Sequence, residues 1–84
     1  MDKKRKMEIA TTLLRRAIEI SGNTPHDVFF EWSPHVDDIT ISINRNGWER
    51  NRKSTTVTVG FGANNDTEGD YEAIMAILDK LEGK

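Results

Sequence analysis

The stretch Ile39-Thr40-Ile41-Ser42-Ile43 alternates apolar with polar residues at period two, and its apolar members are all β-branched. That pattern is the signature of a strand with one buried face. The three isoleucines then share one side of a small sheet. Both helices that flank the sheet in the chain are expected to pack on that side.

Upstream, a first strand is expected from about Asp27 to Trp32. Val28, Phe30 and Trp32 share one face, which we assign to the core; Phe29, Glu31 and Ser33 share the other. Pro34-His35 closes a short turn into the second strand, about Val36 to Asn44, because a proline cannot donate to a ladder. Downstream, Thr55-Thr56-Val57-Thr58-Val59-Gly60-Phe61 reads as a third strand with its apolar residues at odd numbers.

The connection between the second and third strands sets the register. Asn46-Gly47 is a strong two-residue hairpin signal. A tight turn there would place Ile43 opposite Arg50 and Ile41 opposite Arg52, so that even-numbered residues joined the isoleucine face. A slip of one residue reverses every side chain. Pairing Ile41 with Val57 and Ile39 with Val59 satisfies both strands. Residues 45–53 then become a long projecting loop in which Asn46-Gly47 is only a local turn.

The first helix is expected from about Lys3 to Ser21. Met7, Ala10, Leu13, Leu14, Ala17 and Ile18 form its buried stripe at three- and four-residue spacing, widened by Ile9 and Ile20. Lys4, Glu8, Arg15 and Glu19 lie opposite. Glu19 falls three or four residues from Arg16 and Arg15, near enough for weak surface pairs. Gly22 reads as the stop, and Pro25 confirms it. The second helix runs from about Glu68 to Glu82, capped by Asp66 or Thr67. Tyr71, Ile74, Met75, Ile77, Leu78 and Leu81 form its apolar face, and Gly83 ends it. The fold class is α+β: order α-β-β-β-α, a three-stranded antiparallel sheet with two helices on one face, as a single domain over residues 1–84.

A chain of 84 residues buries only about 60% of the surface its unfolded form exposes, so one modest core is expected. Cysteine is absent. That excludes disulfides, thiol catalysis and thiolate zinc sites, and favours a reducing, cytoplasmic location. No apolar run nears the ~20 residues of a membrane span, so no membrane partner is expected. The basic start, Lys3-Lys4-Arg5-Lys6, leads into a helix interrupted by Arg15, Arg16 and Glu19 rather than a signal-peptide core. The net charge is −2, yet it is segmented: residues 1–22 carry +3, residues 23–43 carry −4, residues 44–53 carry +3 and residues 64–84 carry −4.

His26 and His35 flank opposite ends of the first strand, too far apart for a shared ion, so no metal site is expected. Gly60-Phe61-Gly62 precedes a helix opening with Asp66, Glu68, Asp70 and Glu72, whose charge would repel a phosphate, so no cofactor is expected. No nucleophile elbow or positioned catalytic dyad occurs, and the chain is not expected to be an enzyme. The best candidate site is the loop with Arg45, Trp48, Arg50, Arg52 and Lys53. Its cations would hold phosphates, and its tryptophan would stack on a base or fill a partner's pocket. The competing reading is a solvated hairpin tip. The expected function is that of a small non-catalytic interaction protein, monomeric or weakly dimeric, with a protein partner. The alternative is a nucleic-acid-binding domain using residues 45–53 and the basic first helix.

In element order the chain is similar to the double-stranded-RNA-binding domain. That family reads RNA with its first helix, the loop between its first two strands and a lysine-rich start of its second helix. Here the corresponding helix start, Asp66-Thr67-Glu68-Gly69-Asp70-Tyr71-Glu72, is acidic, and the strand loop is the short Ser33-Pro34-His35. The resemblance therefore implies the topology and does not carry over the RNA-binding residues. In size and mixed make-up the chain also resembles small accessory proteins of phages and mobile elements, including some anti-CRISPR inhibitors.

Overall fold

The computed structural model describes residues 1–47 and 54–83. Five elements follow in order: α1 (Lys3–Asn23), β1 (Asp27–Ser33), β2 (Asp38–Asn44), β3 (Thr55–Gly60) and α2 (Thr67–Leu81). The sheet is antiparallel with strand order β1-β2-β3. Both helices pack on the isoleucine side. Ile39, Ile41 and Ile43 are fully buried there with Ile9, Leu13 and Ile20 of α1 and Ile74 and Leu78 of α2.

The register is the one that parity demands. Ile41 lies opposite Val57 and Ile39 opposite Val59. β2 ends at Asn44, and the turn after it is closed by the Gly47 N–H donating to the Asn44 carbonyl at 3.2 Å. Asn46 and Gly47 both have positive φ, 61° and 92°, a conformation that asparagine and glycine tolerate best. The Asn46-Gly47 pair is thus a local turn at the end of β2. The rest of the connection, residues 48–53, lies outside the described residues.

Each strand's main-chain groups alternate between its two neighbours. Four hydrogen bonds fix that alternation. The Phe61 N–H donates to the Asp37 carbonyl, which continues the bonded pairs of β2 with β3 at odd-numbered residues. The Thr67 hydroxyl donates to the Gly60 carbonyl, so even-numbered residues of β3 point away from β2. The Ser21 hydroxyl accepts from the Val28 N–H at 2.9 Å and donates to the Val28 carbonyl at 3.3 Å. Even-numbered residues of β1 therefore point away from β2 as well.

The helix ends correct the sequence reading in detail. α1 runs through Gly22 and stops at Thr24, whose N–H and hydroxyl both donate to the Ile20 carbonyl. Pro25 holds Thr24 extended, and this ends the helix two residues later than the glycine suggested. Asp2 caps the start of α1 and Asp66 that of α2, accepting from Arg5 N–H and Gly69 N–H. At Gly60, at the end of β3, a Cβ would come within 2.7 Å of the Asn65 side chain, which would have to move to admit it. β2 starts at Asp38 rather than Val36, which lies exposed in the four-residue loop 34–37.

The buried seam of α1 also differs from the expected one. Ile9, Leu13, Ala17 and Ile20 face the core, while Met7, Leu14 and Ile18 are exposed. The helix is rotated by roughly a quarter-turn, given ~100° per residue. Arg16 is the cause. It is only 7% exposed and reaches α2, where its guanidinium meets Asp79 at 2.9 Å and Glu82 at 2.6 Å. Arg5, near the start of α1, binds Glu68 at 2.6 Å and lies 5.3 Å from the Tyr71 ring. Two arginines thus hold α1 against α2 and turn its second apolar flank outward.

Candidate functional site

Among the sequence candidates, Arg45 is exposed and its guanidinium donates to the Thr55 hydroxyl at 3.0 Å. Trp48, Arg50, Arg52 and Lys53 lie outside the described residues. His26 accepts the Asn46 N–H on Nδ1 at 3.0 Å, and His35 sits exposed in the loop at the other end of β1. Among the described residues no group of three or more acidic, histidine or cysteine side chains is placed to hold a metal ion.

What the sequence reading missed is the outward flank of α1. Met7, Ala10, Thr11 and Leu14 form one wall of a groove, and Phe30 and Trp32 of β1 form the other. Ile39 and Phe61 lie beneath, both buried. The groove holds about 360 Å³, at the lower end of the ~300–1,000 Å³ typical of ligand clefts. Ile18 extends the apolar line along α1 past Leu14 and is 64% exposed. The strand alternation places Trp32 in the core, yet it is 44% exposed. Val28, at the other end of β1, is buried as expected. The signal that could have shown this is the breadth of the apolar arc on α1. It spans about half the helix, where a single packed face needs only ~100°.

Lys6 closes one end of the groove. Its ammonium lies 5.9 Å from the Trp32 ring and 5.4 Å from the Phe61 ring, and it donates to Asp37 at 2.8 Å. The two rings are tilted against each other with centroids 6.3 Å apart, a favourable aromatic geometry. These contacts fix Trp32 while leaving much of its ring in water. The groove is therefore a shaped apolar surface, not a collapsed one.

The electrostatics beside the groove are divided. On the α2 side, the hydrogen bonds that the Arg5 guanidinium donates to Glu68 and then to Glu8 hold it above its ordinary pKa. Burial works against the charge of Arg16, but the hydrogen bonds to Asp79 and Glu82 outweigh it and raise its pKa as well. Those cations are committed to holding the helices. On β1, Glu31 is exposed on the outer face, opposite Thr40, with no ion pair or hydrogen bond to its side chain among the described residues. Phe29 beside it is 51% exposed.

No family model, curated protein or solved structure matches this chain. Among the described residues no helix is long and apolar enough to cross a membrane.

Proposed function

We propose that this chain is a small non-catalytic binding protein that docks a protein partner in the groove between α1 and β1. The observation that carries the reading is the joint exposure of Met7, Leu14, Ile18 and Trp32 around a formed apolar cleft. A contiguous apolar surface on a domain this small has a solvation cost, and a partner removes it. These side chains are about half exposed, so covering one contributes about 0.7–1.5 kcal/mol before the costs of association. Tryptophan is also among the side chains most enriched at binding hot spots.

The test compares three proteins as bait in extracts of the cells that express the chain: the wild type, Leu14→Glu and Thr58→Lys. Thr58 lies on the outer face of the sheet, away from the groove. Support is a partner retained by wild type and Thr58→Lys and lost by Leu14→Glu. If all three retain the same partners, the groove is not the docking surface. Binding of RNA or DNA at low salt that is equal for wild type and Leu14→Glu, with no groove-dependent protein, would favour nucleic-acid recognition instead.

A further inference from the structure

We infer that the partner is an extended segment that adds to β1 as a fourth strand, with apolar residues directed into the groove and a basic residue beside Glu31. This rests on the groove being the docking surface, and it adds the shape and charge of what binds there.

The open part of the ladder comes first. β1 is an edge strand, and Val28, Phe30 and Trp32 direct their N–H and carbonyl groups away from β2. Ser21 satisfies Val28. The corresponding groups of Phe30 and Trp32 have no hydrogen bond among the described residues. These two residues also place their side chains in the groove. An antiparallel strand bonded at Phe30 and Trp32 sets its own bonded residues on the same face, so their side chains point toward Met7 and Leu14. The residue between them lies on the outer face, opposite Glu31.

The other edge lacks this combination. On β3 the outward-facing residues are Thr56 and Thr58, whose side chains are exposed on the outer face, and Gly60, whose carbonyl is taken by Thr67. An added strand there would find no apolar cleft. Among the described residues, it is at β1 that free main-chain groups and the groove coincide.

A second copy of the chain is a poor occupant. Three antiparallel two-fold pairings of β1 with itself use its open groups. Centred on Glu31, the pairing bonds Phe30 to Trp32 of the copy but sets Glu31 against Glu31, a direct like-charge contact. Centred on Phe30, it needs the groups of Val28 that Ser21 occupies. Centred on Trp32, it sets Phe30 against Pro34, which has no N–H to donate. The position opposite Glu31 calls for a lysine or arginine, so the guest reads apolar-basic-apolar.

The test is a titration of the isotope-labelled full chain with a blocked peptide bearing the core Leu-Arg-Leu between threonines, followed by NMR and amide exchange. The expected result is slowed exchange at Phe30 and Trp32 with shifts at Met7 and Leu14. N-methylating both leucines removes the two hydrogen bonds that their N–H groups donate to the Phe30 and Trp32 carbonyls and keeps the side chains; it should weaken binding roughly tenfold or more. Glu31→Lys should reverse the preference between Leu-Arg-Leu and Leu-Glu-Leu cores, by roughly three- to tenfold in each direction. Shifts at Met7 and Leu14 without protection of Phe30 and Trp32, or equal binding of the N-methylated peptide, would overturn strand addition and leave the groove as a docking surface. No perturbation of groove residues at millimolar peptide would overturn strand addition too. The bait comparison with Leu14→Glu then judges the groove separately. A wild-type chain that sediments as a dimer through β1 would replace the peptide with a second copy and refute the inference.

Discussion

Removing Arg16 is the sharpest test of why the groove stands open. Its side chain is 8% exposed and meets Asp79 and Glu82, which are 46% and 17% exposed. Breaking a fully buried pair by deleting one partner costs about 3–5 kcal/mol, because a charge is left without compensation. Here Glu82 is mostly enclosed while Asp79 is half in water, so Arg16→Ala should cost about 2–3 kcal/mol. A domain of this size has only ~0.05–0.15 kcal/mol of stability per residue. At ~4–8 °C per kcal/mol, the melting temperature should fall by roughly 10–20 °C. Arg16→Met keeps the stem packed near Met75, whose sulfur lies 3.8 Å from the guanidinium, so it should cost less than alanine. Adding Glu82→Gln to Arg16→Met should recover part of the loss, giving a coupling of about 1 kcal/mol or more in a double-mutant cycle. Chemical denaturation of the wild type, Arg16→Ala, Arg16→Met, Glu82→Gln and the double variant measures this. A cost below about 0.5 kcal/mol for Arg16→Ala, a value typical of surface substitutions, would show that the arginine is not what sets the helix. The sign with pH follows from the raised pKa of Arg16. Its contribution is complete below the ordinary arginine value and is lost only above it, so stability should not fall through discharge of Arg16 up to pH 11.

Other consequences can be checked on the same footing. Ile41→Ala opens a cavity under the centre of the sheet and should cost about 2–5 kcal/mol by denaturant titration. Leu14→Glu changes an exposed side chain and should alter stability by no more than about 0.5 kcal/mol; loss of the fold would place Leu14 in the core and remove the groove. Asp66→Ala should cost about 1 kcal/mol by leaving the Gly69 N–H without its acceptor, seen as earlier fraying of α2 in amide exchange.

The sheet was legible in the sequence because its constraints are local and binary. The parity of Ile39, Ile41 and Ile43 against Val57 and Val59 allows only pairings that keep them on one face, and a strong turn signal at Asn46-Gly47 cannot override four buried side chains and the half-buried Val57. The helix seam was not legible for the opposite reason. α1 carries apolar residues on two flanks, and the choice between them is made by Asp79 and Glu82, more than sixty positions away along the chain. Arg16 reads as a surface residue until those carboxylates are placed beside it. The candidate site followed the seam. Without the quarter-turn, the spacing places Met7, Leu14 and Trp32 in the core and leaves the charged loop at 45–53 as the conspicuous surface feature.

Ser21 has a consequence of a different kind. An unpaired strand edge is a template, and a long one recruits copy after copy into stacked sheets. The Ser21 hydroxyl at Val28 and the imino acid at Pro34 bracket the free stretch of β1 on its two sides, and what remains between them is two residues long. A dock of that length can seat a short guest but gives a growing fibril little to hold. Ser21→Ala would lengthen it by one residue at the price of a single oxygen atom. The change should appear first in slow turbidity of concentrated solutions rather than in the melting curve.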